Sequence, residues 1–445
     1  MSEPSAEHGL SRQLSASQQS MMALGGAIGT GLFLASGLSV NIAGPAVVLS
    51  YVIVAGVSIL LGRALTEMAV VHPTAGAFGV YAGMYVSPFA GYAVRVSYWL
   101  MEVIATGGQL VAASIYMAYW FPAVPGAVWV FVFAVALVAA NSWAVGTLGV
   151  LEYWLVTIKL AAIVIFAAVA LLAILGLLGE RPRGLRAMAE GGGGLMPFGP
   201  SGVWFACCFV IYSFIGVEIV AITSGEATDP SVTIPRAMRR MVFSLSAIYI
   251  VMTLLLLAMT PWRELGVGES PFVRVLSTLG IPGAAGVMNF VVLSAALSSA
   301  NANIYVIART LFSLARGGYV PAALGRVNRR DAPLNALLVS SVGLGAAVLV
   351  RALWPDSAYV WFFGVALFGA LFVWLMIFVT HIRFRTASRA GHGGPPIGSY
   401  AGAALIGAIL LSTWWIPDLR STLLAGVPWL ALLAGGYYLS ARTAH

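Results

Sequence analysis

The chain has 445 residues, of which 60% are hydrophobic and 9% charged, with a mean hydropathy of +0.94. Soluble domains carry about 25% charged residues, so most of this surface must face lipid rather than water. The net charge is +8, but the basic residues lie mainly in short connections between apolar runs, which is not the clustered footprint of a nucleic-acid binder.

A spanning helix needs about 20 apolar residues. The apolar runs predict twelve, at approximately 21–42, 45–70, 90–118, 126–144, 151–178, 201–223, 239–261, 284–314, 334–353, 357–380, 400–416 and 423–441. Residues 1–20 are polar and lack a signal-peptide core. With both termini cytoplasmic, twelve arginines fall inside: Arg12, Arg236, Arg239, Arg240, Arg316, Arg326, Arg329, Arg330, Arg383, Arg385, Arg389 and Arg442. Seven fall outside: Arg181, Arg183, Arg186, Arg263, Arg274, Arg351 and Arg420. The excess supports an inside N-terminus. The longest polar interruption, about 179–200 with glycines 191–194, reads as an external loop. None is long enough for a separate soluble domain.

The first run reads MMALGGAIGTGLFLASG, from Met21 to Gly37. Five glycines here would cost a continuous helix about 1 kcal/mol each relative to alanine. Two readings remain open: a backbone that opens around Gly29-Thr30-Gly31, or glycines that let helices pack closely. In the second run, Arg63 and Glu67 stand four apart and are expected to form a local pair. The third run carries Glu102 and, two helical turns on along the same face, Gln109, with Gly107 and Gly108 between. Glu102 either faces a cavity or pairs with an arginine near a helix end.

Lys159 is the single lysine of the chain and sits about two turns from the nearer end of the fifth run. Intramembrane charges are costly and usually functional. The alternative is a lysine that snorkels to the interface. In the sixth run, Cys207 and Cys208 read as small core residues. The stretch SFIGVEIVAITSGE, Ser213 to Glu226, repeats the mixture of glycine and polar groups mid-span, five runs after the first. Paired interruptions at matching places in two halves point to an inverted-repeat transporter site. Glu218 could carry a proton or bond exposed backbone amides; Tyr212 and Phe214 could pack or form a movable gate. Asn301 and Asn303 in the eighth run could line a cavity or join helices. His8, His72, His381, His392 and His445 are read as interfacial or solvated. The sequence contains neither a metal-ligand cluster nor a nucleophile–base pair, and it calls for no cofactor.

MMALGGAIGTGLFLASG, AGPAVVLSYVIVAGVSILLGRALTEMAVVHPTAGAF and FIGVEIVAITSGEATDPSVTIPRAMRR together resemble the amino-acid permeases of the amino acid–polyamine–organocation superfamily. The nearest subgroup is the bacterial one that includes lysine, proline, aromatic and GABA permeases. YWLMEVIATGGQLVAASIYMAYWFP, LEYWLVTIKL and LSSANANIYVIARTLFSLARGG fit as well. The resemblance implies an all-α polytopic fold of twelve helices. Two inverted five-helix repeats, with discontinuous helices 1 and 6, would occupy 21–380, a cytoplasmic loop 381–399, two added helices 400–441 and a short tail 442–445.

It also implies a multi-pass protein of the bacterial inner membrane that takes up amino acids with protons by alternating access, with no reaction catalysed. Gly29-Thr30-Gly31 then corresponds to the cradle for the substrate carboxylate. The carbonyls of Ala27, Ile28, Tyr212, Ser213 and Ile215 would accept from its ammonium, with Phe214 and Gly216 completing the sixth-helix break. Tyr212 matches an aromatic gate. Lys159 matches a lysine that stands where related transporters bind sodium, bridging the first helix to the eighth. Glu218 matches a coupling carboxylate. Gln109 stands where many relatives have glutamate, and Glu102 where they have an apolar aromatic, so coupling moves to Glu102 or Glu218, or Glu102 tunes selectivity. Glu102, Gln109 and Asn301 are the expected side-chain contacts. Rival expectations are an amino-acid or polyamine exchanger needing no proton gradient and a non-transporting amino-acid sensor. The expected partners are an amino acid, protons and the bilayer, with no nucleic acid; the sequence fixes neither the amino acid nor an oligomeric state.

Overall fold

The computed structural model describes residues 24–443 except 75, 144, 179–183, 185–187, 189–191, 223, 225–228, 267, 329–332 and 388–394, and it describes no side chain for 143–153 or 439–443. Several expected features lie outside the described residues: the tail 1–20, Met21, Met22, Arg12, Arg181, Arg183, Arg186, Arg329, Arg330, Arg389, Gly191, Glu226, His8, His392, His445 and the side chain of Arg442.

Among the described residues the protein is all helix, with nine helical segments long and apolar enough to cross a bilayer and three shorter apolar ones, Leu24–Phe33, Gly126–Ser142 and Gly199–Ser213. The segment Ala35–Val71 holds the second half of the first apolar run and all of the second, so among the described residues the helices make twelve candidate crossings. The first is broken: a helical turn from Leu24 gives way at Gly29, resumes as Thr30–Phe33 and continues as Ala35–Ala43. The second is Val47–Val71, followed by the short helix Ala77–Tyr85. The third to fifth are Pro88–Met117, Gly126–Trp143 and Val145–Ile174. The sixth, Gly199–Ser213, breaks into a turn before Ile219–Ile222. The rest are Pro230–Met259, Ala284–Arg316, Leu334–Leu353, Ala358–Ala387, Ile397–Ser412 and Arg420–Thr443.

The seventh helix begins at Pro230, some nine residues before its apolar run. Asp229 caps it by accepting from the Ser231 amide at 3.1 Å, and proline at the first helical position fits because its missing N–H would go unpaired there. The basic PRAMRR segment is therefore helical. The tenth helix likewise runs on to Ala387 through its last arginines.

The third helix is the axis of the core: it packs against both the eighth and the tenth, and 22 of its 30 residues are buried. The fifth and the last helices expose Val164, Ile165, Val427 and Leu432, the apolar outer face that lipid would cover. The small residues of the third helix set these approaches. A Cβ at Gly107 would stand 2.6 Å from Phe362 of the tenth helix, and one at Gly91 2.8 Å from the Gly83 backbone.

Candidate functional site

At Gly29 the first helix leaves helical geometry, with φ −137° and ψ −140°. Its amide turns back to the Ala27 carbonyl at 3.1 Å, and a new short helix starts at Thr30, whose first amides have no partner within the helix. In the sixth helix, residues 214–218 form successive turns, with Gly216 at φ +108°, a conformation that disfavours any side chain. The two breaks touch. The Ser213 hydroxyl donates to the Gly31 carbonyl at 2.9 Å, and a Cβ at Gly216 would lie 3.0 Å from that of Ala27.

The glycines serve both uses left open by the sequence. Gly29 interrupts the helix, yet its missing side chain makes room for a neighbouring helix: a Cβ there would meet Ser299 Oγ at 2.7 Å, and one at Gly31 the Ser213 Cα at 2.8 Å. Gly25 similarly admits Val156 of the fifth helix.

The freed carbonyls already have protein donors. Lys159 is 1% exposed and its ammonium donates to the carbonyls of Gly25 at 2.7 Å and Ile28 at 3.3 Å. It does not snorkel. Ser299 of the eighth helix donates to the same Ile28 oxygen at 3.4 Å, so the fifth and eighth helices converge on one carbonyl. Tyr249 of the seventh donates to the Ala27 carbonyl at 3.1 Å, and the Tyr212 carbonyl accepts from Ile215 at 3.3 Å.

Glu218 is 1% exposed. Both its oxygens accept from the Gly216 amide at 3.1 Å, and one also accepts from Trp374 Nε1 at 3.3 Å. It thus staples its own turn and ties it to the tenth helix. Glu102 is 5% exposed and stands one turn along the same helix from Tyr98. Among the described residues it makes no ion pair, so the expected pairing with an arginine at a helix end does not form. Tyr212 packs against Phe363 in a tilted pair with ring centroids 4.3 Å apart, and the Tyr359 hydroxyl donates to the Thr30 carbonyl at 3.4 Å. Phe214 is fully buried, edge-on to Tyr249 at 5.2 Å.

Thr30 Oγ1 at the first break, and Tyr98 OH, Gln109 Oε1 and Tyr116 OH on the third helix, are buried polar atoms with no hydrogen-bond partner among protein atoms. Buried polar groups are nearly always paired, by protein or by a bound molecule. Glu102, Gln109 and Tyr116 recur every seven residues, so one face of the third helix presents all three.

Asn301 Oδ1 accepts from Asn141 Nδ2 at 2.8 Å, joining the eighth helix to the fourth, one of the two roles the sequence left open. Other expectations need correction. Glu67 is not paired with Arg63. It binds His381 Nε2 at 2.8 Å and Arg385, and the other His381 nitrogen meets Ser399 at 2.7 Å. His381 is therefore buried, not solvated, because the tenth and eleventh helices close over the end of the second. His72 is partly buried and pairs with Tyr85 at 2.5 Å.

Sequence reasoning missed Tyr98, Tyr116, Tyr249, Ser299, Tyr359, Phe363 and Trp374. For Tyr116 a signal existed, one more seven-residue step beyond Gln109. The others are aromatic or small residues in apolar runs, where nothing local separates them from packing.

Residues 18–443 match the family model described as amino acid permease. The chain belongs to the amino acid permease family. The permease is 34% identical over 439 residues to an uncharacterised amino acid permease of Bacillus subtilis strain 168, YtnA, covering 96% of this chain and 95% of that protein. It is 33% identical to the amino-acid permease RocC of the same organism, over 97% and 95% of the two chains. It is also 33% identical to the aromatic amino acid transport protein AroP of Escherichia coli K12, over 98% of each. The all-helical polytopic fold, interrupted in its first and sixth crossings, is that of this superfamily, and the permease is a multi-pass membrane protein.

Proposed function

We propose that this permease takes up an amino acid together with protons across the bacterial inner membrane by alternating access, both termini lying in the cytoplasm. In this reading residues 21–380 form the transport core and 400–441 two added helices. Membership of the family supports amino-acid transport. The observation that carries the site is the contact between the two interrupted helices, with the buried Thr30 hydroxyl at the first break left without a protein partner.

The substrate carboxylate sits at Gly29, Thr30 and Gly31, where amide groups and the Thr30 hydroxyl offer donors to an anion. Its ammonium meets the carbonyls of Tyr212, Ser213 and Ile215 at the sixth-helix break, and those of Ala27 and Ile28 join them by exchanging one of the two protein donors each now accepts. Tyr212 and Phe214 close over it, with Phe363 and Tyr359 of the tenth helix as their support. Lys159 holds the first helix in its broken form from within, taking the position of a bound cation, and Glu218 or Glu102 carries the proton.

Purified protein in proteoliposomes tests this. An inward pH gradient should drive radiolabelled amino-acid accumulation, abolished by a protonophore, with empty vesicles as sinks. Uptake that needs an amino acid on the far side and ignores the gradient would establish exchange instead. Saturable binding without flux would make the protein a sensor.

A further inference from the structure

The last helix, Arg420–Thr443, packs against both the third and the tenth. Where the three meet, they leave a cavity of about 160 Å³. Small residues make it: Gly369 of the tenth helix and Ala425 and Gly426 of the last, set against Ser97 and Met101 of the third. The glycines bring the helices close around the cavity without filling it. A Cβ at Gly369 would stand 2.5 Å from that of Met101, and one at Gly426 would collide with the Phe368 ring. The floor, at Ser97, Met101, Phe368 and Gly369, is buried. The mouth is open: Pro428 and Leu432, one turn apart, line the cavity and also stand on the exposed face of the last helix.

The chemistry of the lining selects what enters. Its two polar side chains are joined to each other, Trp429 Nε1 donating to the Ser97 hydroxyl at 3.1 Å, and the rest of the lining is apolar or glycine. An apolar cavity of about 150 Å³ stays dry and takes apolar ligands, so water is a poor filling for this one. Depth excludes a headgroup. At 1.5 Å per residue, 425–432 lie about 8–18 Å along the helix from Arg420, within a hydrocarbon layer about 30 Å thick. The mouth is continuous with exposed Leu424 and Val427, the face that lipid covers, so hydrocarbon stands at the opening. A lipid tail gains no hydrophobic free energy by moving from lipid into protein. It gains dispersion contact, because atoms lining an unfilled gap lack partners on one side.

We infer that this cavity is a binding site for an acyl chain of a membrane phospholipid, inserted from the side between the last helix and the third and tenth. The chain enters past Pro428 and Leu432 and ends against Met101 and Gly369. Met101 directly precedes Glu102 on the third helix, and Gly369 lies on the helix whose Trp374 holds Glu218. The lipid thus lies against the two helices that carry these groups, with the last helix as the outer wall of its site.

Photolabelling of the full chain in liposomes tests this, with a phosphatidylcholine that carries a diazirine midway along one acyl chain. Peptide mass spectrometry should find adducts on the buried Met101 and Phe368 as well as on exposed Leu432, Val427 and Val164. Ala425→Phe and Val365→Phe fill the cavity from different helices. Each should lower the Met101 and Phe368 adducts several-fold and leave those on Val164 unchanged. Adducts confined to exposed residues would overturn the inference, as would floor adducts that persist at full level in both variants. Disulfide-linked dimers of Leu432→Cys under mild oxidant, with no floor adducts in the wild type, would instead assign this face to contact between two copies of the chain. The wild-type labelling pattern decides on its own, so a variant that does not fold leaves the test standing.

Discussion

Gly29 and Gly31 differ in what stands against them, and the difference can be measured. A methyl group at Gly31 would lie 2.8 Å from the Cα of Ser213. Ordinary carbon–carbon contact begins near 3.5 Å, so the sixth-helix backbone must move by about 0.7 Å, and overpacking of this kind costs about 1–3 kcal/mol. A methyl at Gly29 meets the Ser299 hydroxyl at 2.7 Å and its Cβ at 3.1 Å. The hydroxyl can rotate away, giving up its weak bonds to the carbonyls of Gly26 and Ile28, at roughly 1 kcal/mol. Gly31→Ala should therefore be the more destabilising change. Ser299→Gly should relieve Gly29→Ala but not Gly31→Ala, giving a coupling of about 0.5–1 kcal/mol for the first pair alone. Substrate-free unfolding of the purified protein in detergent measures all five variants. The packing argument fails if Gly31→Ala is as stable as wild type, or if Ser299→Gly changes both costs equally.

Lys159→Met keeps most of the side-chain volume but leaves the Gly25 and Ile28 carbonyls without their charged donor; a loss of about 1–3 kcal/mol is expected, and a larger one for Lys159→Ala, which adds a cavity. Unfolding in detergent gives the ranking, and wild-type stability in both would show that the ammonium does not hold the broken helix. His72 lies just beyond the second helix, and partial burial lowers its pKa below the ordinary 6.5. The folded protein thus binds fewer protons there than the unfolded chain, so stability from this group is present above pH 6.5 and is lost as the pH falls below it. His72→Phe should flatten the decline in melting temperature between pH 7 and 5, and an unchanged decline would assign it to other groups.

The twelve crossings were legible because each is a long apolar run, and the two breaks because glycine and polar residues mid-span are costly unless the backbone uses them. Lys159 stood out for the same reason. What stayed hidden was the pairing. Glu67 meets Arg385 318 positions away, and Trp374 meets Glu218 156 positions away, whereas local spacing offered Arg63 as a nearer partner. Tyr359, Phe363 and Trp374 lie in a run rich in phenylalanine, valine and leucine, so their roles come only from what the fold sets beside them. Asn301 shows the converse: its polar side chain was conspicuous in the sequence, but a second asparagine on the fourth helix claims it.

The two pieces of the first helix are fastened to different neighbours. Before Gly29, the carbonyls of Gly25, Ala27 and Ile28 are bolted to Lys159, Tyr249 and Ser299. After it, those of Thr30, Gly31 and Phe33 are bolted to Tyr359, Ser213 and Ser270. A single residue without a side chain is the joint between two separately anchored rods. Force applied to either set of anchors would be felt first as torsion at Gly29, and the rods on each side could keep their own shape while the angle between them changed.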